Sequence, residues 1–125
     1  MAASAATLDH VGYVAADLGA LRAEMQRLGF APTEPRELLG VDTATGVARP
    51  LGQRSCHVVL GRGYIELTSV DNPSPTHHLA TWLARGAGLH ILALGSESIA
   101  QEQARCAAAR LAVTAPAHAS RRIEY

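Results

Sequence analysis

The sequence predicts an α+β fold: paired β-α-β-β-β modules that join into one curved mixed sheet, the second module being truncated. Three observations carry this. Short β-rich runs alternate with helical apolar stripes along the chain. The strand–turn–helix pattern that opens at His10 returns at His90. The 125 residues, 48% hydrophobic, suit a single domain over 1–125 with one sizeable core. Two half-sheets that cannot each cover an apolar face are better off merged.

Leu8 to Val14, largely apolar but for Asp9 and His10, reads as a short buried strand. Asp17 is an N-cap, and behind it Leu18, Leu21, Met25 and Leu28 form one helical stripe. Gly29 falls where a C′ glycine belongs, and Pro32 and Pro35 keep the helix from resuming. An irregular strand is expected from Phe30 to Leu39. Gly40 to Gly52 has the composition of a long loop or lid, suited to substrate contact. Ser55–Leu60 and Tyr64–Val70 flank Gly61-Arg62-Gly63, a hairpin signal that completes a first module over 8–70.

Residues 71–87 read as linker and helix. Asp71 to Pro75 links, and Ser74 with Pro75 opens a helix through Arg85 that buries Leu79, Trp82 and Leu83. Gly86 and Gly88 end it. Leu89 to Leu94, apolar but for His90, is a second buried strand and opens a partial second module over 88–125. Ser98 and Gln101 resemble a capping box for a helix to about Leu111. Ala112 to Ser120 is loop-like, and Arg121 to Tyr125 begins another strand.

Composition removes several function classes. Eleven acids balance eleven bases, so no basic field recommends a nucleic-acid or membrane-surface partner. No apolar run approaches the roughly 18 residues of a membrane span. Met1 to Thr7 lacks the basic start and long apolar stretch of a signal peptide, and a cytoplasmic protein is expected. Every basic residue is arginine, which excludes Schiff-base chemistry, a lysine-anchored pyridoxal enzyme and a P-loop of the usual type. Cys56 and Cys106 stand too far apart for a zinc knuckle and read as small buried hydrophobes. Six histidines and eleven carboxylates remain for chemistry.

Side chains alternate along a strand, so faces can be counted. His10 shares a face with Gly12 and Val14, Glu66 with Tyr64 and Thr68, and His90 with Leu92 and Leu94; Ile65 and Leu67 point to the helices. Each strand brings one ionisable group to a common face. A carboxylate within a β-rich apolar run is costly unless paired or metal-bound, which singles out Glu66. Two imidazoles and a carboxylate suit Zn, Ni, Fe or Mn, whereas a core histidine bonded to backbone carbonyls is the bland alternative. His57 falls on the Glu66 face if the hairpin turns through Arg62 and Gly63, and on the opposite face if Gly61 joins the loop. His57 and Tyr64 are pocket candidates, and Arg49, with Arg54 and Arg62, is a candidate clamp for an anionic substrate. His77 and His78 are expected on a solvated helix face, His118 in a solvated loop, and Trp82 in the core.

Leu8-Asp9-His10-Val11-Gly12, Gly63-Tyr64-Ile65-Glu66-Leu67 and Gly88-Leu89-His90-Ile91-Leu92 together resemble the vicinal oxygen chelate superfamily. That superfamily includes glyoxalases, extradiol dioxygenases, epimerases and antibiotic-resistance proteins, and the nearest branch is the glyoxalase-like one. The resemblance runs from Leu8 to about Leu111. It implies a sheet that cups a divalent metal, with His10, Glu66 and His90 as ligands and Glu66, chiefly through coordination, in the catalytic position. It further implies a lyase or isomerase acting on a small oxygenated molecule through a metal-stabilised enediolate-like anion. The alternatives are an Fe(II) ring-cleaving dioxygenase and a non-enzymatic protein that sequesters a small molecule. The superfamily's further carboxylate, from the last strand of its second module, has no counterpart here, since Glu124 comes too early. A fragment of a longer protein, or a homodimer whose second copy completes the site, is therefore expected.

Overall fold

The computed structural model describes residues 6–42 and 44–117. They fall in two compact units, Asp9–Ala93 and a second drawn from the chain up to Leu8 and from Leu94 onward. One five-stranded sheet is built from β1 (Thr7–Val14), β2 (Arg36–Val41), β3 (Ala48–Val59), β4 (Tyr64–Val70) and β5 (Gly88–Gly95), in the order β2-β3-β4-β1-β5. β1 runs parallel to β4, while β3 is antiparallel to both β2 and β4. The sheet is thus mixed and curved, as the sequence predicts.

Helix α1 (Leu18–Arg27) starts where Asp17 accepts a hydrogen bond from the Ala20 amide at 2.9 Å. Leu18, Leu21 and Met25 pack on Cys56, Val58, Ile65 and Leu67, with Tyr13 beside them. Cys56 is fully buried, and burial pushes its thiol above the usual range. Leu28 is not part of the stripe: the helix has ended, and this C-cap side chain is 71% exposed. Gly29 adopts φ +91°, a left-handed conformation that glycine reaches at no steric cost. Arg22 then pairs with Glu34 and donates to the Thr33 carbonyl at 3.2 Å, anchoring the chain leaving the helix.

The expected strand from Phe30 begins only at Arg36, because Pro32 and Pro35 have no N–H to give a ladder. Thr33 nonetheless docks on β3: its amide donates to the His57 carbonyl and its hydroxyl accepts from the His57 amide, both at 2.9 Å. The expected lid over residues 40–52 is instead a β-hairpin. β2 runs on to Val41 and β3 begins at Ala48, so only a short turn joins them. Asp42 builds that turn, its carboxylate accepting from the Ala44 amide at 2.8 Å while the Gly46 amide donates to its carbonyl. Gly40 is a strand glycine for a packing reason: a Cβ there would stand 2.7 Å from Leu51 Cδ2.

The β3–β4 turn settles the face of His57. The Leu60 amide donates to the Gly63 carbonyl at 3.1 Å, so Gly61 and Arg62 form the turn and Gly63, at φ +72°, leaves it. Gly61 does join the loop, but the loss of Gly63 from it restores the parity, and His57 lies opposite Glu66.

On the other face, Val14, Val70 and Leu79 form a second cluster, with Leu83 against it. Helix α2 spans only Ala80–Ala84, not the stretch from Pro75. Local side-chain bonds compete with the helix before it: Ser74 Oγ accepts from the Thr76 amide, and the His77 ring accepts from the Leu79 amide at 3.1 Å. Trp82 is 38% exposed and is not a core residue. β5 is an edge strand, and Leu89, Ile91, Leu92 and Leu94 are all exposed among the described residues, contrary to the expected buried strand. Helix α3 (Ile99–Ala108) is capped by Ser98, whose hydroxyl accepts from the Gln101 amide at 3.3 Å. Among the described residues no helix is long and apolar enough to cross a membrane. His118 and the expected strand at Arg121–Tyr125 lie outside the described residues.

Candidate functional site

Register places the site. Pairing of β1 with β4 sets His10 beside Tyr64, Gly12 beside Glu66 and Val14 beside Thr68. Pairing of β3 with β4 sets Ser55 opposite Thr68 and His57 opposite Glu66. Partners across a ladder share a face, so His10, Ser55, His57, Tyr64, Glu66 and Thr68 stand together, away from the α1 layer. Glu66 therefore faces away from α1, on the side of the sheet that carries the Val14, Val70 and Leu79 cluster.

Glu66 is 4% exposed, and a carboxylate so placed needs donors. Its Oε1 accepts from Ser55 Oγ at 3.0 Å and from Thr68 Oγ1 at 3.2 Å, and the two hydroxyls are 2.6 Å apart. Beside them, the His10 ring stacks on Tyr64 at 4.5 Å, and His57 meets the edge of the same tyrosine at 5.3 Å. The Asp9 carboxylate lies 2.7 Å from His10 Nδ1. A proton on that nitrogen leaves the lone pair of a neutral His10 at Nε2.

His90 reaches this face through a notch. A Cβ on Gly12 would stand 2.9 Å from His90 Cε1, so the imidazole occupies space that any other residue at position 12 would fill. Burial holds the His90 pKa below the usual histidine range, against the upward pull of Glu66 and of the Gly12 backbone. His90 Nδ1 is buried and has no hydrogen-bond partner. The Trp82 ring meets His90 edge-on at 6.4 Å, with the Arg85 guanidinium over its own face at 5.3 Å. Both also line a cavity of about 200 Å³ together with Val14 and Gly86 to Leu89.

The fit to a divalent ion is one of kind and of face. Two imidazoles and a carboxylate are suitable donors, and the orphaned His90 nitrogen lacks a partner that an ion would supply. The Asp9–His10 contact is also the outer-shell arrangement that orients a ligating histidine. Among the described residues, however, no three His, Cys, Asp or Glu side chains are gathered as a ready cluster.

A family model described as a glyoxalase-like domain matches residues 8–124. This chain belongs to the glyoxalase-like domain family. It is thereby a member of the vicinal oxygen chelate superfamily, and solved structures agree in fold. The glyoxalase-like domain is 23% identical to methylmalonyl-CoA epimerase from Mycobacterium tuberculosis, over 88% of this chain and 69% of that one, with a TM-score of 0.59. It is 21% identical to a methylmalonyl-CoA epimerase in complex with methylmalonyl-CoA and NH4+, over 94% and 80%, with a TM-score of 0.64. A Streptomyces coelicolor methylmalonyl-CoA epimerase bound to 2-nitronate-propionyl-CoA matches at 20% identity over 83% and 69%, with a TM-score of 0.56. No curated protein sequence matches.

Within the glyoxalase-like domain the arginine candidates are not brought to Glu66. Arg49 pairs with Gly40 on the exposed arm of the β2–β3 hairpin, six residues from Ser55 and so roughly 20 Å along the strand. Arg54 alternates onto the opposite face, and Arg62 is exposed in its turn. His77 is not simply solvated, since its Nε2 lies 3.1 Å from the Leu51 carbonyl oxygen. Sequence reasoning missed Ser55, which alternation would have found once the hairpin register was known. It also missed Asp9, the immediate neighbour of His10, and the notch at Gly12.

Proposed function

We propose that this glyoxalase-like domain is a divalent-metal-dependent enzyme of the isomerase or lyase type acting on a small oxygenated molecule. One observation carries the reading: a buried carboxylate, Glu66, stands on the face of His10, and His90, packed against Gly12 and within the electrostatic reach of Glu66, keeps a buried nitrogen with no partner. The epimerases with which the domain shares its fold support isomerisation among the chemistries open to it. His10, Glu66 and His90 would hold the ion (Zn, Ni, Fe or Mn), and when bound it supplies Lewis-acid polarisation of a carbonyl or hydroxyl pair.

The rest falls to the chain's own groups. Asp9 holds the His10 ring in one tautomer and orientation. Tyr64, stacked on His10 and edged by His57, forms a rigid wall against which a planar substrate group is oriented. The cavity lined by Trp82, Arg85 and Val14, whose tryptophan also meets the His90 ring, offers a partly open recess for a small molecule. Glu66 acts as a fixed ligand more than as a base. The exposed apolar residues of the edge strand β5 support a homodimer, to be checked by light scattering at several concentrations.

A second reading, a non-enzymatic small-molecule binder, is favoured by one fact: the donors are not gathered about one point. Metal loading separates the two. Protein stripped with chelator and titrated with each of the four ions should take up one equivalent, and Glu66→Gln should weaken uptake at least tenfold without moving the melting temperature much. Failure to load with any of them assigns the face to the binder.

A further inference from the structure

We propose that Ser55 and Thr68 are positioning residues for Glu66: their paired hydroxyls hold one carboxylate oxygen and fix how the group is presented to the face it shares with His10 and His90. This rests on the reading of Glu66 as a metal ligand and adds the parts that aim it.

The three side chains form a closed triangle of oxygens, with Ser55 Oγ and Thr68 Oγ1 2.6 Å apart and 3.0 Å and 3.2 Å from Glu66 Oε1. Each hydroxyl has one proton to give. With the Ser55 proton on Oε1, the Thr68 proton goes either to Oε1 or to Ser55 Oγ, and the second choice strengthens the first bond by polarising it. Both arrangements tether the same carboxylate oxygen.

The tether is stiff. Ser55 and Thr68 are ladder partners on neighbouring strands, so their spacing is set by the sheet. Both are buried, at 2% and 1% exposure, and bulk water does not compete for their hydroxyls. Thr68 is β-branched and restricted at χ1. Along the same strand face, Val70 beyond Thr68 belongs to an apolar cluster, as does Val14 on β1. Hydroxyls stand at the positions from which Glu66 can be reached and apolar side chains beyond them. A purely structural role, satisfying a buried carboxylate, uses the same bonds but makes a different prediction. It costs stability when a hydroxyl is lost and leaves ion binding as it was.

Co(II) is the probe, since its visible absorption reports both affinity and ligand geometry. The full chain and the variants Ser55→Ala, Thr68→Val, Thr68→Ser and Glu66→Gln are titrated with Co(II) and melted in parallel. Ser55→Ala and Thr68→Val should each weaken Co(II) binding by about tenfold, the lower end of what outer-shell changes cost, and shift the absorption bands. Thr68→Ser, which keeps the hydroxyl, should bind as the parent does. If Glu66→Gln weakens Co(II) binding while both hydroxyl deletions leave affinity and spectrum unchanged, the positioning role is overturned and the ligand reading stands. If Glu66→Gln changes nothing, or the parent takes up no Co(II), both are overturned. Should Thr68→Val fail to fold, Ser55→Ala decides by the same criteria.

Discussion

The two strands that open with the same motif, β1 at His10 and β5 at His90, fare very differently. β1 lies between β4 and β5, and Val14 on it is fully buried. β5 lies at the sheet edge, and Leu89, Leu92 and Leu94 on it are more than half exposed among the described residues. Even the equivalent positions Gly12 and Leu92 diverge: one must stay empty because His90 packs into it, while the other carries a 69% exposed leucine. A shared pattern of apolar residues therefore specifies a strand, but its burial is specified by what lies on either side and above it.

The largest expected effect tests that contrast in the core. Leu67, on β4, is fully buried among Leu18, Cys56 and Val58. Leu67→Ala should cost about 2–5 kcal/mol, the transfer loss plus a residual cavity. Leu92→Ala should stay within about 0.5 kcal/mol, as exposed substitutions do. Urea denaturation of the two variants measures both, and equal losses would show that β5 is covered in solution.

The notch at Gly12 sharpens the comparison at single-atom scale. A methyl group there meets His90 Cε1 and Ile91 Cβ at 2.9 Å each, and the second is held by the backbone. Gly12→Ala should therefore destabilise by about 1–3 kcal/mol, as overpacking does. At Gly88, which opens β5, a Cβ meets nothing within 4 Å. Gly88→Ala should be neutral or stabilising by about 0.4–1 kcal/mol, by restricting the unfolded chain. Thermal melts that ranked the two alike would mean that His90 does not sit in the notch.

Alternation and capping were legible in the sequence because both depend on neighbours in the chain. Asp17, Ser98, the faces of His10 and Glu66, and the helix-side placement of Ile65 and Leu67 follow from that alone. What depends on partners distant in the chain was not legible. The glycines from Gly40 to Gly52 suggested a lid, yet Gly40 is a strand position packed under Leu51, which only the β2–β3 pairing reveals. Trp82 had the spacing of a core residue, but a helix of five residues that starts late turns it toward His90 and solvent. Ser55 became visible as a site residue only through its register with Thr68.

The smallest expected effect concerns pH and again separates β5 from the core. Burial lowers the pKa of His90, and that of His78, from the ordinary 6.5, with Glu66 and the Gly12 backbone opposing the shift at His90 and the neighbouring His77 and His90 reinforcing it at His78. The folded chain thus binds fewer protons at these sites than the unfolded chain once the pH falls below about 6.5. Stability should be flat above that pH and decline as acidification proceeds toward the lowered folded values. The measurement is the melting temperature of chelator-treated protein between pH 7.5 and 5.5, a window in which ordinary carboxylates stay ionised. His90→Gln should lose less on acidification than the parent, because it removes a group that must stay neutral to remain in its notch. Identical slopes in the two proteins would place the His90 ring in water rather than against Gly12, and the β1–β5 contact that brings it to Glu66 would have to be redrawn.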